Sequence, residues 1–186
     1  MEHRGLIAEP ALMSAEELFE HPEWNPCELV GGKVIRMSPA GGEHGLVAGE
    51  IFAAIHAFAK MSKAGKVFAA ETGFYIERDP DTIRAPDVSF LSTGRIPVGG
   101  IAKTFVPIVP DLAVEVLSPT DTWKDVDQKA REYVNAGVRL VWAVSPIGRS
   151  ARVCRKGRAM LEITESQALS GEDVLPGFAL KLSDIF

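Results

Sequence analysis

The run Leu112-Ala113-Val114-Glu115-Val116-Leu117 is the most strand-like segment of the 186-residue chain, apolar at every position but one. A strand that is apolar on both faces belongs inside a sheet covered on both sides, so the chain must supply layers above and below it. The exception is a carboxylate. Buried there, Glu115 must meet a cation, a metal or hydrogen-bond donors, because an unpaired buried charge is very costly. It reads either as a salt-bridged structural glutamate or as part of a site.

The rest of the chain provides those layers. Ser14 and Glu17 form a capping box that opens a short helix through Phe19, closed by His21-Pro22. Residues 27–30 and 33–37 flank Gly31-Gly32 as a hairpin. Beyond Ser38-Pro39-Ala40-Gly41-Gly42, residues Val47, Ile51, Ala54, Ile55 and Phe58 fall at helical spacing, with Gly65 marking the end. Short strand-like runs follow at 67–69, 74–77, 88–91 and 112–117. A second helix fits 121–136, stopped at Gly137. Then come a strand at 140–144, a hairpin of 151–154 with 161–164, and a closing segment at 180–186. This order predicts one α/β (α+β mixed) domain over residues 14–186, a mixed central sheet flanked by helices, behind an N-terminal extension of residues 1–13.

Hydrophobic residues at 46% and charged residues at 24% exclude a disordered tail, a collagen-like rod and a coiled coil. No apolar run approaches the ~18 residues that span a bilayer, and residues 1–13 lack the apolar core of a signal peptide. Cys27 and Cys154 form no CxxC pair and cannot build a structural zinc site. The expectation is a cytoplasmic protein with free thiols. Net charge is −5, so no global basic field attracts nucleic acid. Locally, Arg149, Arg152, Arg155, Lys156 and Arg158 place five cations in ten residues, with Lys60, Lys63 and Lys66 as a looser cluster. The stretch is a solvated hairpin or a phosphate-contacting surface.

Four further polar residues break the pattern. Asp87 opens Pro86-Asp87-Val88-Ser89-Phe90, on the strand face opposite Val88 and Phe90; it reads as a turn residue or a ligand. Lys129 falls inside the apolar stripe Val126, Ala130, Tyr133, Val134 of the second helix, whereas Asp125, Asp127, Gln128, Arg131 and Glu132 point elsewhere. A lysine on the core side either snorkels past the sheet or faces a buried anion. His44 begins the first long helix and either packs on the preceding turn or binds metal or phosphate. Glu28 in the hairpin is an exposed strand acid unless the hairpin folds over a site. Two carboxylates on neighbouring strands and an inward lysine are what phosphodiester hydrolysis requires. The acids hold Mg²⁺ or Mn²⁺ through oxygen ligands, and the lysine orients water or offsets charge on the phosphate.

The chain resembles the Uma2-type family of restriction endonucleases, a branch of the PD-(D/E)XK nuclease superfamily. The matching stretches are Glu28-Leu29-Val30-Gly31-Gly32-Lys33-Val34, Met37-Ser38-Pro39 with His44, Ala85-Pro86-Asp87-Val88, and Pro110-Asp111-Leu112-Ala113-Val114-Glu115-Val116-Leu117-Ser118-Pro119. They continue with Lys129, Tyr133, Ala136, Gly137 and Val138, then Val174-Leu175-Pro176-Gly177-Phe178 and Asp184-Ile185-Phe186. The resemblance implies a restriction-endonuclease-like fold, a DNA substrate, a homodimer and metal binding by Asp87 and Glu115. Such nucleases carry a lysine two residues after the glutamate. Leu117 stands there instead, and the resemblance moves the role to Lys129, with Glu28 and His44 as accessory residues. The alternative is a catalytically silent nucleic-acid-binding or regulatory domain that keeps the fold, which the net acidity favours.

Overall fold

The computed structural model describes residues 12–186, so residues 1–11 of the expected N-terminal extension lie outside the described residues. At its centre is a six-stranded mixed sheet, built from β3 (Gly65–Ala69), β6 (Val88–Ser92), β7 (Leu112–Val116), β8 (Leu140–Ser145), β9 (Ser150–Cys154) and β10 (Leu161–Thr164), in the order β10-β9-β8-β7-β6-β3. Only β7 and β8 run parallel. The connection between them is α3 (Trp123–Ala136), since parallel neighbours need a crossover and a helix supplies it. All five β7 residues are buried, as a doubly apolar run requires.

The pleat of β7 sorts its side chains between two layers. Leu112, Val114 and Val116 pack in one core with Val47, Ile51, Ile55 and Ala59 of α2 (Gly42–Ser62). Ala113 faces the other way, into a core with Ala130 and Tyr133 of α3. Glu115 shares that second face, which fixes its direction toward α3. Trp142 of β8 is fully buried in the α2 layer, worth roughly 2–3 kcal/mol of apolar burial.

The hairpin is more than an appendage. β1 (Cys27–Val30) and β2 (Lys33–Arg36) turn at Gly31 and Gly32, whose φ of 55° and 73° suit the primed two-residue turn. They join β4 (Phe74–Glu77) and β5 (Thr82–Arg84) in a four-stranded antiparallel sheet ordered β2-β1-β5-β4. Leu29 of β1 and Ile83 of β5 pack with Ala15 and Leu18 of α1 (Ala15–Phe19), whose Ser14–Glu17 capping box is present. The opposite face of β1 carries Glu28 toward α3. A small pair, β11 (Ala168–Ser170) and β12 (Ala179–Lys181), precedes a closing 3₁₀ turn at Leu182–Ile185.

Gly65 does not end the long helix. That stop is Lys63, in a left-handed conformation with φ of 55°, and Gly65 begins β3. A Cβ at Gly65 would lie 2.1 Å from the Leu91 carbonyl oxygen, so close strand approach demands glycine there. The second helix begins at Trp123 rather than 121, because the Thr122 hydroxyl accepts from the Asp125 N–H as its cap. Cys27 and Cys154 are both free. Among the described residues, no helix is long and apolar enough to cross a membrane.

Candidate active site

Glu115 and Lys129 meet because β7 projects the acid toward α3 and the helix stripe turns the lysine inward. Lys129 Nζ donates to Glu115 Oε2 at 2.9 Å, and the Tyr133 hydroxyl, one turn further along α3, donates to Oε1 at 2.7 Å. The same ammonium lies 3.1 Å from Glu28 Oε1. Glu28 is 3% exposed and also accepts from Arg84 Nη1 at 2.7 Å and the Ala85 N–H at 3.0 Å. Arg84 of β5 turns its remaining donors on Glu132 of α3, at 3.1 and 2.6 Å. The lysine is thus shared between a strand of each sheet.

Asp87 stands immediately before β6. Its Oδ2 accepts from the Val116 N–H at 2.7 Å and lies 3.3 Å from His44 Nε2, in the first turn of α2. Asp87, Glu115, Lys129 and His44 line one cleft of about 620 Å³, with Ser38 and Ser118 beside them. Its other charged lining residues, Glu71 and Asp121, are acidic.

The electrostatics are uneven. Burial, reinforced by the charges of Asp87 and Glu28 and only partly offset by Lys129, pushes the Glu115 carboxyl up to about 7. Burial disfavours the Lys129 ammonium, yet Glu115 and Glu28 outweigh it and hold the lysine above its ordinary range. Burial likewise opposes the Glu28 carboxylate, but Lys129 and Arg84 keep it below the usual range. The hydrogen bond to Asp87 raises His44. Four carboxylates (Glu28, Asp87, Glu115 and Glu132) therefore face two permanent cations, Arg84 and Lys129, with His44 beside Asp87.

That surplus suits a divalent cation. Asp87 and Glu115 offer hard oxygen donors in the same cleft, the chemistry of a Mg²⁺ or Mn²⁺ site. Among the described residues, no group of three or more His, Cys, Asp or Glu side chains forms a ready-made metal cage. Mg²⁺ is commonly held through one or two carboxylates, with waters and phosphate oxygens completing its shell.

The structure brings together Asp87, Glu115, Lys129, Glu28 and His44. It does not bring the basic stretch to them, since none of those residues lines the cleft. Arg149 pairs with Glu165, Arg152 with Asp127 at 2.7 Å, and Arg155 Nε lies 3.0 Å from Glu172, while Lys156 and Arg158 are exposed on the turn after β9. Glu132 corrects the expectation that it points elsewhere: it is partly buried and clasps Arg84. Sequence reasoning missed Arg84, whose one signal is an arginine two residues before Pro86-Asp87. Tyr133 read as core, and its hydroxyl is what ties it to Glu115.

The mixed sheet lies between α2 and α3, and Asp87, Glu115 and Lys129 line a cleft at one end of its adjacent central strands β6 and β7. Residues 15–183 match the Uma2 family, described as "Putative restriction endonuclease". The chain belongs to that family, and this membership supports a nuclease. No curated protein matches it. Among solved structures it is similar to a "putative nuclease belonging to DUF820" from Anabaena variabilis ATCC 29413, at 22% identity and a TM-score of 0.81, over 94% of this chain and 97% of that one. At that identity the likeness shows the fold.

Proposed function

We propose that this protein is a Mg²⁺-dependent endonuclease that hydrolyses phosphodiester bonds in DNA, with Asp87 and Glu115 as the metal ligands. The observation that carries this reading is the excess of buried carboxylate around the cleft, centred on a Glu115 whose charge only partly finds compensation. A cation bound there would polarise a phosphoryl oxygen and lower the pKa of a bound water. The chain's own residues do the rest. Lys129, kept charged by Glu28 and Glu115, presents its ammonium to the attacking water or to the phosphate oxygens. Tyr133 and the Val116 N–H fix the two carboxylates so that few rotamers must be frozen on binding. Assembly as a homodimer would bring a second cleft, so that both strands could be cut in one encounter.

The second reading, a silent nucleic-acid-binding domain, is favoured, beside the net acidity, by a feature of the site: Lys129 and Tyr133 already occupy both oxygens of Glu115. Cleavage of a plasmid and oligonucleotide panel by wild type and Glu115→Gln, with Mg²⁺, Mn²⁺ or chelator, separates the two. Metal-dependent cutting by wild type alone is the expected result. Equal cutting by the variant would remove Glu115 as a ligand. Absence of both cutting and Mn²⁺ binding would leave the silent domain.

A further inference from the structure

The basic stretch after β9 divides in two. Arg149 and Arg152 are consumed by Glu165 and Asp127. Arg155 and Arg158 instead converge with Arg131 of α3 on a separate pocket of about 220 Å³, floored by Val134, Cys154 and Met160. Arg131 follows Lys129 by two positions, about 200° around a helix, so it projects from the opposite side of α3. None of the three arginines lines the cleft.

We propose that this pocket binds a phosphoryl group, carried by a nucleic-acid backbone or by a small phosphate ester. Three observations support it. First, the fold gathers three guanidinium groups from two elements, and like charges brought together call for an anion between them. Second, neither Arg131 nor Arg158 takes part in an ion pair among the described residues, where the arginine pairs are those of positions 84, 95, 139, 149, 152 and 155. Third, Arg155 has an unmet donor. Its side chain is 16% exposed, and its Nη1 is buried with no hydrogen-bond partner among the described residues. Its Nε lies 3.0 Å from Glu172 Oε2 but without hydrogen-bond geometry. Among the described residues, Glu172 is the one carboxylate within salt-bridge reach of the three, so cationic charge remains in excess.

The chemistry favours phosphate over other anions. A guanidinium offers paired N–H groups that match two oxygens of a phosphoryl group, and a phosphate has enough oxygens for more than one such fork. The apolar floor removes water from one side of these contacts, which strengthens them.

The test uses the full chain in chelator, so that no cation in the cleft draws phosphate there. Inorganic phosphate is added at ionic strength matched with chloride, and the arginine Nε–Hε resonances are followed by NMR. Arg131, Arg155 and Arg158 should shift together and saturate, at a dissociation constant of roughly 1 mM. Arg131→Gln and Arg158→Gln alter exposed side chains and should each weaken binding about tenfold, the loss of one charge-assisted fork. Arg155→Gln should abolish it, with unchanged backbone resonances as the check on folding. Competition by a short oligonucleotide without terminal phosphates would identify the backbone as the source; phosphate binding without such competition would identify a small ester. Shifts no larger than with chloride, or undiminished in Arg131→Gln and Arg158→Gln, would overturn the proposal. Glu115→Gln should bind phosphate normally, so failure of the nuclease reading would leave this site standing.

Discussion

Lys129 Nζ reaches Glu115 Oε2 at 2.9 Å from a helix that begins seven residues beyond β7, so the lysine absent at position 117 is delivered through space. Its second contact, 3.1 Å to Glu28, gives it an anion to rest on if Glu115 turns to a metal. Replacing it tests both contacts. Lys129→Met should lower cleavage by at least about 100-fold, as loss of a preorganised charge beside the phosphate does. It should also destabilise the fold by about 3 kcal/mol, because two buried acids lose their shared cation. That cost should shrink as pH falls and Glu115 takes up a proton. Urea unfolding at pH 8 and pH 6 checks it; a pH-independent loss would point to packing instead.

Glu115 itself makes stability depend on pH. Its folded value of about 7 lies above the ordinary 4.5, so the folded state keeps a proton that the unfolded state has released. Stability is therefore intact below 4.5 and falls as pH rises toward 7, by on the order of 3 kcal/mol if the shift stood alone. Glu115→Gln should flatten this slope and be relatively more stable at pH 8 than at pH 5. Added Mg²⁺ should raise the melting temperature of wild type at pH 8 and much less at pH 5. An unchanged slope in the variant would assign the dependence to other groups.

The parts of this site legible in the sequence are those that break a local pattern. Glu115 interrupts an apolar strand, and Lys129 interrupts an apolar helix stripe. Gly137, at φ of 107°, ends α3 where expected. What stayed hidden depends on distant partners. Arg84 lies in a strand of three residues, too short to display a period of two. Glu132 sits on the polar side of a helical wheel, yet an arginine from the other sheet reaches it. The stretch 149–158 contains no acid, but Glu165 and Asp127 take up Arg149 and Arg152 from remote positions, and Glu172 approaches Arg155. Such compensation is a property of the folded chain alone.

Arg84 should prove a keystone of the site. It is 14% exposed and binds both Glu28 and Glu132. Arg84→Met removes the guanidinium that bridges those two acids and should cost about 3–5 kcal/mol, as breaking a buried pair does. Adding Glu132→Gln should recover part of that loss, with a coupling of about 1–3 kcal/mol in a double-mutant cycle. Additive losses would mean that the two side chains merely lie close together.

Asp111 precedes β7 and decides how that strand is anchored. It is fully buried, accepting from the Ser92 N–H at 2.8 Å and Arg95 Nη1 at 3.0 Å, with Arg139 Nη1 at 3.4 Å. Burial works against its charge, but these donors outweigh burial and hold the carboxyl below its usual range. A depressed acid contributes stability above its unfolded pKa and loses it as pH falls through its folded value. Asp111→Asn keeps the shape but presents an amide where two guanidinium groups expect charge. At neutral pH it should cost about 2 kcal/mol, the net worth of hydrogen bonds to a charged group. The difference from wild type should narrow only under strongly acidic conditions, where the wild-type carboxyl also becomes neutral. Denaturation midpoints across the acidic range give the answer. A deficit that persisted after wild-type Asp111 had protonated would place its origin in the amide's geometry rather than in the missing charge.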